Sequence, residues 1–353
     1  MCGSVAEFGW PGGDQPGPLE FNHEPPPPVA EAIKGALAPF FPGVMEPGAY
    51  LRALQRVTGP VGRYRLATSK GSWFVRVTLR RRDPSLERAL TAYLASRSVS
   101  VNPLLVAGAN LEWNGRALRV DVRPMIFGRN FDGSAADLQS VASTLAACHH
   151  ALRSWPRADA VRKAARNRAE RLAAIRDRIA GALKHDAFDA FVPHASWTAA
   201  YAFWAAAHRD WLAEMVEDFD PHLDRWSGAQ CLHGQIHRGN VLFRSDGGAA
   251  VLVDFEESVH VFAPVAWDVA HLVQRFCLHD APSIPVARHR HSIVAKAYGV
   301  AVPGLTEMMR QAAWFSIAAI LERHVSRRIV TPLEEYKKFV DLERQARSYE
   351  TAL

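Results

Sequence analysis

Residues 231–256 read CLHGQIHRGNVLFRSDGGAAVLVDFE, and the pattern of this stretch decides the fold. Apolar β-formers at Val241, Leu242 and Phe243, and again at Val251, Leu252 and Val253, flank the turn signal Ser245-Asp246-Gly247-Gly248. The stretch therefore reads as strand, tight loop, strand, hairpin, strand, with polar groups gathered at two strand ends. The loop after Leu232 holds His233, Gly234, Gln235, Ile236, His237, Arg238, Gly239 and Asn240, and the last strand closes on Asp254-Phe255-Glu256. The hairpin between them can bring Asn240 and Asp254 side by side. An amide oxygen beside a carboxylate is what a hard, octahedral Mg²⁺ takes when substrate phosphates and waters supply its other ligands.

His233, Gly234, His237 and Asn240 form a His-Gly-x-x-His-x-x-Asn loop, set about a hairpin away from Asp254-Phe255-Glu256 and followed by Pro264-Val265-Ala266-Trp267-Asp268. This constellation resembles the aminoglycoside phosphotransferase and choline kinase family. The resemblance implies a two-lobe, protein-kinase-like α+β fold, with a β-rich N-terminal lobe and a mainly helical C-terminal lobe. It also implies an ATP- or GTP-dependent, Mg²⁺-assisted transfer of a phosphoryl group to a hydroxyl of a small-molecule acceptor. On the matching positions, Asn240 and Asp254 hold the metal, Asp268 braces the catalytic loop and His233 packs beneath the metal-binding triplet.

One position departs from the family pattern: Gln235 stands where the family carries an Asp. An Asp there accepts or orients the proton of the attacking hydroxyl, whereas a Gln can only accept a hydrogen bond. Phosphoryl transfer passes through a loose transition state, so positioning and charge carry most of the catalysis. A general base adds about 10² to 10⁴ in rate. Three readings stay open: a slow kinase in which Gln235 orients the acceptor, a kinase whose base is His237, Glu256 or Glu257, and a silent relative that binds nucleotide or ligand in a regulatory role.

In the N-terminal third, residues 72–79 alternate as a strand, with Trp73, Val75, Val77 and Leu79 on one face and Phe74, Arg76 and Thr78 on the other. Kinases place a Lys on this strand against the nucleotide phosphates, paired with a helix Glu. By family order Arg76 takes that part and Glu87 is its partner, in a helix with Asp83 as cap and Pro84 as its first residue. Gly59 and Gly62 sit where a phosphate-covering turn belongs, and Asn114-Gly115 signals a hairpin. The lobe connector, whose backbone receives adenine in the family, falls at Met125 and Phe127. The expected division is a Pro/Gly-rich leader over residues 1–28, a nucleotide lobe over 29–125, its first helix over 29–41, and a helical lobe over 126–353.

Four scattered Cys without a Cys-x-x-Cys pair suggest neither a disulfide framework nor a zinc site, and point to the cytoplasm. No apolar run approaches the roughly 20 residues needed to span a bilayer. A net charge of +6 permits an anionic partner, yet a nucleotide satisfies it, and no nucleic-acid-binding signature is present. The region from 157 to 178 carries eight basic against three acidic residues on a helical pattern, which reads as a solvated face or an anion-attracting surface. Residues 135–152 form an amphipathic helix ending in His149-His150, which project in different directions and make a poor metal pair. A helix from Ser196 places Trp197, Tyr201, Trp204, His208 and Trp211 near one face, as core or as a wall of the acceptor pocket. The acceptor's identity and the oligomeric state are not written in the sequence.

Overall fold

The computed structural model of the chain describes residues 20–79, 84–185, 187, 195–245, 247–327 and 331–350. Its N-terminal lobe runs α1 (Pro27–Leu37), β1 (Tyr50–Ala53), β2 (Gly62–Thr68), β3 (Gly71–Thr78), α2 (Ser85–Ser96), β4 (Val106–Trp113) and β5 (Arg116–Pro124). The strands form one antiparallel sheet in the order β1-β2-β3-β5-β4. Alternation in β3 sends Val75 and Val77 into a core with Tyr64, Leu66, Val120 and Val122. The opposite face carries Arg76, directly across from Asp121 of β5. Helix α1 lays Val29, Ile33 and Leu37 on the same core, each buried side chain contributing about 1.5–3 kcal/mol.

Local chemistry explains where this lobe departs from the sequence reading. Helix α1 starts at Pro27, because prolines tolerate the first turn, where their missing N–H is no loss; the N–H groups of Val29 and Ala30 close on the Pro26 carbonyl at 2.9 and 3.0 Å. It stops at Leu37, two residues before Pro39. Helix α2 begins at Ser85 with Pro84 in the cap position, and Asp83 lies outside the described residues, as do residues 1–19 of the leader. Asn114 and Gly115 both take positive φ (49° and 71°), the geometry of a tight two-residue hairpin.

The C-terminal lobe follows as β6 (Gly128–Arg129), α3 (Ala135–Leu152), α4 (Ala158–His185), α5 (Ala195–Ala207), α6 (Arg209–Asp218), β7 (Gln230–Cys231), β8 (Val241–Arg244), β9 (Val251–Leu252) and β10 (Phe262–Ala263). Helix α7 (Ala266–Leu272) runs into a π-turn (Val273–Leu278), and α8 (Ile284–Tyr298), α9 (Leu305–Arg327) and α10 (Leu333–Glu350) complete the lobe. The aromatic stripe read as one helix breaks at His208 into α5 and α6. Tyr201 and Trp211 are buried: Tyr201 and the partly buried Trp204 pack edge-on against Tyr336 of α10, and the Trp211 indole donates to Glu343 at 3.0 Å. The side chain of Trp197 lies outside the described residues. Three arginines of the basic helix α4 pair within the lobe, Arg166 with Asp224, Arg168 with Glu257 and Arg171 with Glu322, the first and last from half-exposed positions. His289 and His291 lie within α8, and His291 bonds to Tyr349. No helix among the described residues is long and apolar enough to cross a membrane.

Gly128 is where the lobe connector meets the hairpin. A Cβ there would fall 2.2 Å from the Phe243 carbonyl oxygen, a backbone atom held in the β6–β8 pair. Gly128→Ala should therefore lower unfolding stability by about 1–3 kcal/mol. Gly35→Ala, on the exposed side of α1 with nothing within 4 Å, should raise it by about 0.5–1 kcal/mol. Urea denaturation of the two variants checks both signs.

Candidate active site

The loop after β7 is shaped by one carboxylate. Asp268, fully buried in the first turn of α7, accepts the His233 N–H at 2.8 Å and the Gly234 N–H at 2.9 Å. His149 of α3 adds its Nε2 at 2.9 Å, and its Nδ1 lies 2.7 Å from the Tyr298 hydroxyl on α8. The Trp267 indole donates to the Gly234 carbonyl at 3.0 Å and the Ser258 hydroxyl to the His233 carbonyl at 2.7 Å. Gly234 turns the chain at φ 89°, in a space where a Cβ would meet Glu257 and Val261 at 3.2 Å. Burial alone would raise the Asp268 pKa, but the hydrogen bond and charge of His149 and the nearby His233 and His271 outweigh it, so the group stays ionised. His149 is thus a member of the brace that its sequence position did not reveal.

The other end of the loop carries the pair expected to hold metal. Asn240 leads into β8, and its carbonyl accepts the Val253 N–H at 3.0 Å, which sets it beside the residue before Asp254. The Asn240 amide nitrogen donates to the Gln235 carbonyl at 3.0 Å, so its oxygen is the atom left for a cation. Asp254 sits in the left-handed region at φ 61°, rare for a residue with a side chain, and its Oδ1 is buried with no hydrogen-bond partner. A buried carboxylate oxygen without a donor is costly unless a cation compensates it. His233 packs beneath, its Nε2 at 2.9 Å from the Val253 carbonyl and its ring 4.5 Å from that of Phe255. Among the described residues no group of three His, Cys, Asp or Glu could hold a metal by itself. An ion between Asn240 and Asp254 therefore needs ligands from phosphates or water, the habit of Mg²⁺.

Arg76 reaches this hairpin from the other lobe, with a partner that differs from the expected one. Its guanidinium donates to Glu256, while Glu87 accepts from Arg123 of β5, whose second nitrogen holds the Asn102 carbonyl at 3.2 Å. Arg123 lies on the same strand face as Asp121 and takes the helix carboxylate, leaving the Arg76 fork to the acid one residue beyond Phe255. Burial works against the Arg76 charge, but Glu256, Asp254, Asp121 and Glu87 together raise its pKa. Arg76 is thus a permanent cation near Asp254, and Glu87 shapes its field without the expected ion pair.

A family model described as the phosphotransferase enzyme family matches residues 60–300 of the chain. The chain belongs to the phosphotransferase enzyme family. No curated protein sequence matches it. Among solved structures, it is similar to a spectinomycin phosphotransferase in complex with ADP and spectinomycin, at 14% identity over 85% of this chain and 93% of that one, with a TM-score of 0.55. It is also similar to an aminoglycoside phosphotransferase assigned in Ralstonia eutropha, at 12% identity over 91% of this chain and 98% of that one, with a TM-score of 0.51. At such identities the likeness is one of fold: a β-sheet lobe and a helical lobe of the aminoglycoside-kinase type.

Within the phosphotransferase, the residues weighed as bases are placed as follows. The Gln235 side chain is exposed at the loop tip. His237 accepts the Gly239 N–H at its Nδ1, 3.0 Å away, which puts its proton on Nε2. Burial, reinforced by Arg275, pushes the His237 pKa down to about 3, so it resists taking a second proton. Glu256 and Glu257 are engaged with Arg76 and Arg168. At the connector, the Met125 N–H donates to the Ser72 carbonyl at 3.0 Å and the Phe127 carbonyl accepts the Ser245 N–H at 3.2 Å. The turn bearing Gly59 is pinned by the Tyr64 hydroxyl on the Pro60 carbonyl at 2.8 Å.

The Asp268 brace has a pH signature. Its folded pKa lies below its unfolded value, so its stabilisation is complete above about pH 4 and is lost as the pH falls through the folded pKa. Asp268→Asn should destabilise the chain at neutral pH by roughly 3–5 kcal/mol. The gap from the native chain should narrow as pH drops below about 4, which melting curves across pH 3–7 would show.

Proposed function

We propose that this chain transfers the γ-phosphoryl group of ATP or GTP to a hydroxyl of a small molecule, with Mg²⁺ bound between Asn240 and Asp254. The observation that carries the reading is the buried, unpartnered Oδ1 of Asp254 beside Asn240 and within the field of Arg76. When bound, the metal supplies charge neutralisation for the nucleotide phosphates. Arg76 grips those phosphates from β3, its fork held by Glu256. The main chain around Met125 and Phe127 faces the adenine or guanine ring. Gln235 stands at the acceptor, its amide oxygen accepting the hydroxyl hydrogen and fixing the direction of attack. His237, Glu256 and Glu257 are poor substitutes for a base, for the reasons of tautomer, charge and ion pairing given above. The expectation of a slow enzyme that works by positioning follows from that, since orientation and electrostatics supply most of the rate enhancement in phosphoryl transfer.

A second reading, a nucleotide-binding protein without turnover, is favoured by one observation, the neutral amide of Gln235 where the family has an acid. One measurement tests both readings and a second separates them. At 100 times its dissociation constant, Mg-ATP or Mg-GTP should stabilise the chain by about 2.7 kcal/mol, and Asp254→Ala should abolish the gain. No shift with either nucleotide would defeat both readings. Native turnover should be slow but measurable, and Gln235→Ala should lower kcat roughly five- to tenfold, the worth of about one hydrogen bond. A native chain silent in the same assay, awakened by Gln235→Asp, would establish the second reading.

A further inference from the structure

The π-turn after α7 carries Arg275, whose backbone meets the loop after β7 and whose side chain packs over α10. Arg238, two residues before Asn240, donates its Nε to the Arg275 carbonyl at 3.0 Å and so fastens loop and turn together. The Arg275 guanidinium is partly buried, lies 5.7 Å from the centre of the Phe339 ring, and forms no ion pair or hydrogen bond among the described residues. Buried arginines are normally paired, because desolvating their charge is costly. Lys338 of α10 sits beside it, 5.6 Å from the same ring. The nearby carboxylate is Glu335, which lies 3.4 Å from Lys338. One acid therefore faces two cations.

The electrostatics agree with the geometry. Burial pushes Arg275 down to about 10, with Glu335 opposing, which still leaves it charged at neutral pH. Lys338 is held below its ordinary value by burial and then by Arg275. His237 feels both Arg275 and Asp254, so this cationic spot adjoins the zone where transfer is proposed. It is separate from Arg76, whose neighbouring acids are Glu256, Asp254, Asp121 and Glu87. The nucleotide phosphates have a cation of their own, and Arg275 answers to something else.

We propose that the acceptor carries an anionic group, a carboxylate or a phosphate, which Arg275 receives with Lys338 beside it while the acceptor hydroxyl faces Gln235. The planar guanidinium offers two parallel donors to either group, and the Phe339 ring shields the contact from water on one side. Arg275 lies within the π-turn itself, and such turns recur at functional sites. The assignment rests on the phosphotransferase reading above.

Calorimetric titration of the full chain with four small probes tests it: glycerate, glycerol 3-phosphate, glycerol and ethanolamine. At least one of the two anions should bind ten or more times as tightly as glycerol and ethanolamine, and which of the two does so separates carboxylate from phosphate recognition. Arg275→Gln should weaken that binding at least tenfold and Lys338→Gln about threefold. Equal binding of the neutral or cationic probes, no binding of either anion, or anion binding unchanged in Arg275→Gln would overturn the proposal. If Arg275→Gln does not fold, Lys338→Glu takes its place, with a loss of anion binding expected and unchanged binding overturning the proposal. Melting shifts with Mg-ATP on the same samples report separately on the phosphotransferase reading: anion binding lost in Arg275→Gln with the nucleotide shift retained places the fault or the success in the acceptor site alone.

Discussion

A buried carboxylate with no water around it must find its hydrogen bonds in the protein, and Asp268 finds three. It collects the N–H groups of His233 and Gly234 and the imidazole of His149. Through these bonds α3, α7, α8 and the loop after β7 become one unit, since His149 continues to Tyr298. The positions of Gln235 and Asn240 follow from it, because the loop has no regular secondary structure between β7 and the short turn at Arg238–Asn240. Buried charge of this kind is a poor source of net stability but a strong source of uniqueness: any other loop path would leave the carboxylate unsatisfied.

The two lobes are joined at the same hairpin. Arg76 bonds to Glu256, one residue past Phe255, and the segment at Val101 pairs in parallel with Leu252, the Asn102 N–H meeting the Leu252 carbonyl at 3.0 Å. Arg123 holds the Asn102 carbonyl and, at its other nitrogen, Glu87 of α2. The helix carboxylate therefore reaches the hairpin of Asn240 and Asp254 by a different route from the one expected: it anchors the strand segment that lies on β9, and Arg76 is oriented by Glu256. Both routes end within two residues of Asp254.

Elements whose cause is local were legible in the sequence. Alternation in residues 72–79, the Asn114-Gly115 turn and the Ser245-to-Gly248 turn each specify a hairpin by short-range geometry, and the hairpin alone suffices to bring Asn240 beside Val253. Asp268 and His233 fell into place because a loop motif and a helix start lie close in the chain. What escaped depends on the third dimension. Arg76 and Arg123 sit on neighbouring strands, β3 and β5, that are far apart along the chain, so which of them takes Glu87 is decided only by packing. His149 carries a generic helical signature, and its brace role needs α7, over a hundred residues away. The break at His208 and the π-turn at Val273–Leu278 leave no Gly or Pro mark within them, so the place of Arg275 in that turn could not be read from the sequence.

Under the proposed reading, Gln235 and Arg275 act on the same acceptor. An Asp at position 235 would set a negative charge where the acceptor docks; against an anionic acceptor at about 6 Å, with an effective dielectric constant near 20, the repulsion is about 3 kcal/mol. That is comparable to what a general base returns, about 10² to 10⁴ in rate. In that reading a neutral amide keeps the hydrogen bond that orients the hydroxyl and removes the repulsion, while Arg275, whose carbonyl holds Arg238 of the loop, supplies attraction. On these magnitudes a neutral amide at position 235 is compatible with the proposed transfer to an anionic acceptor.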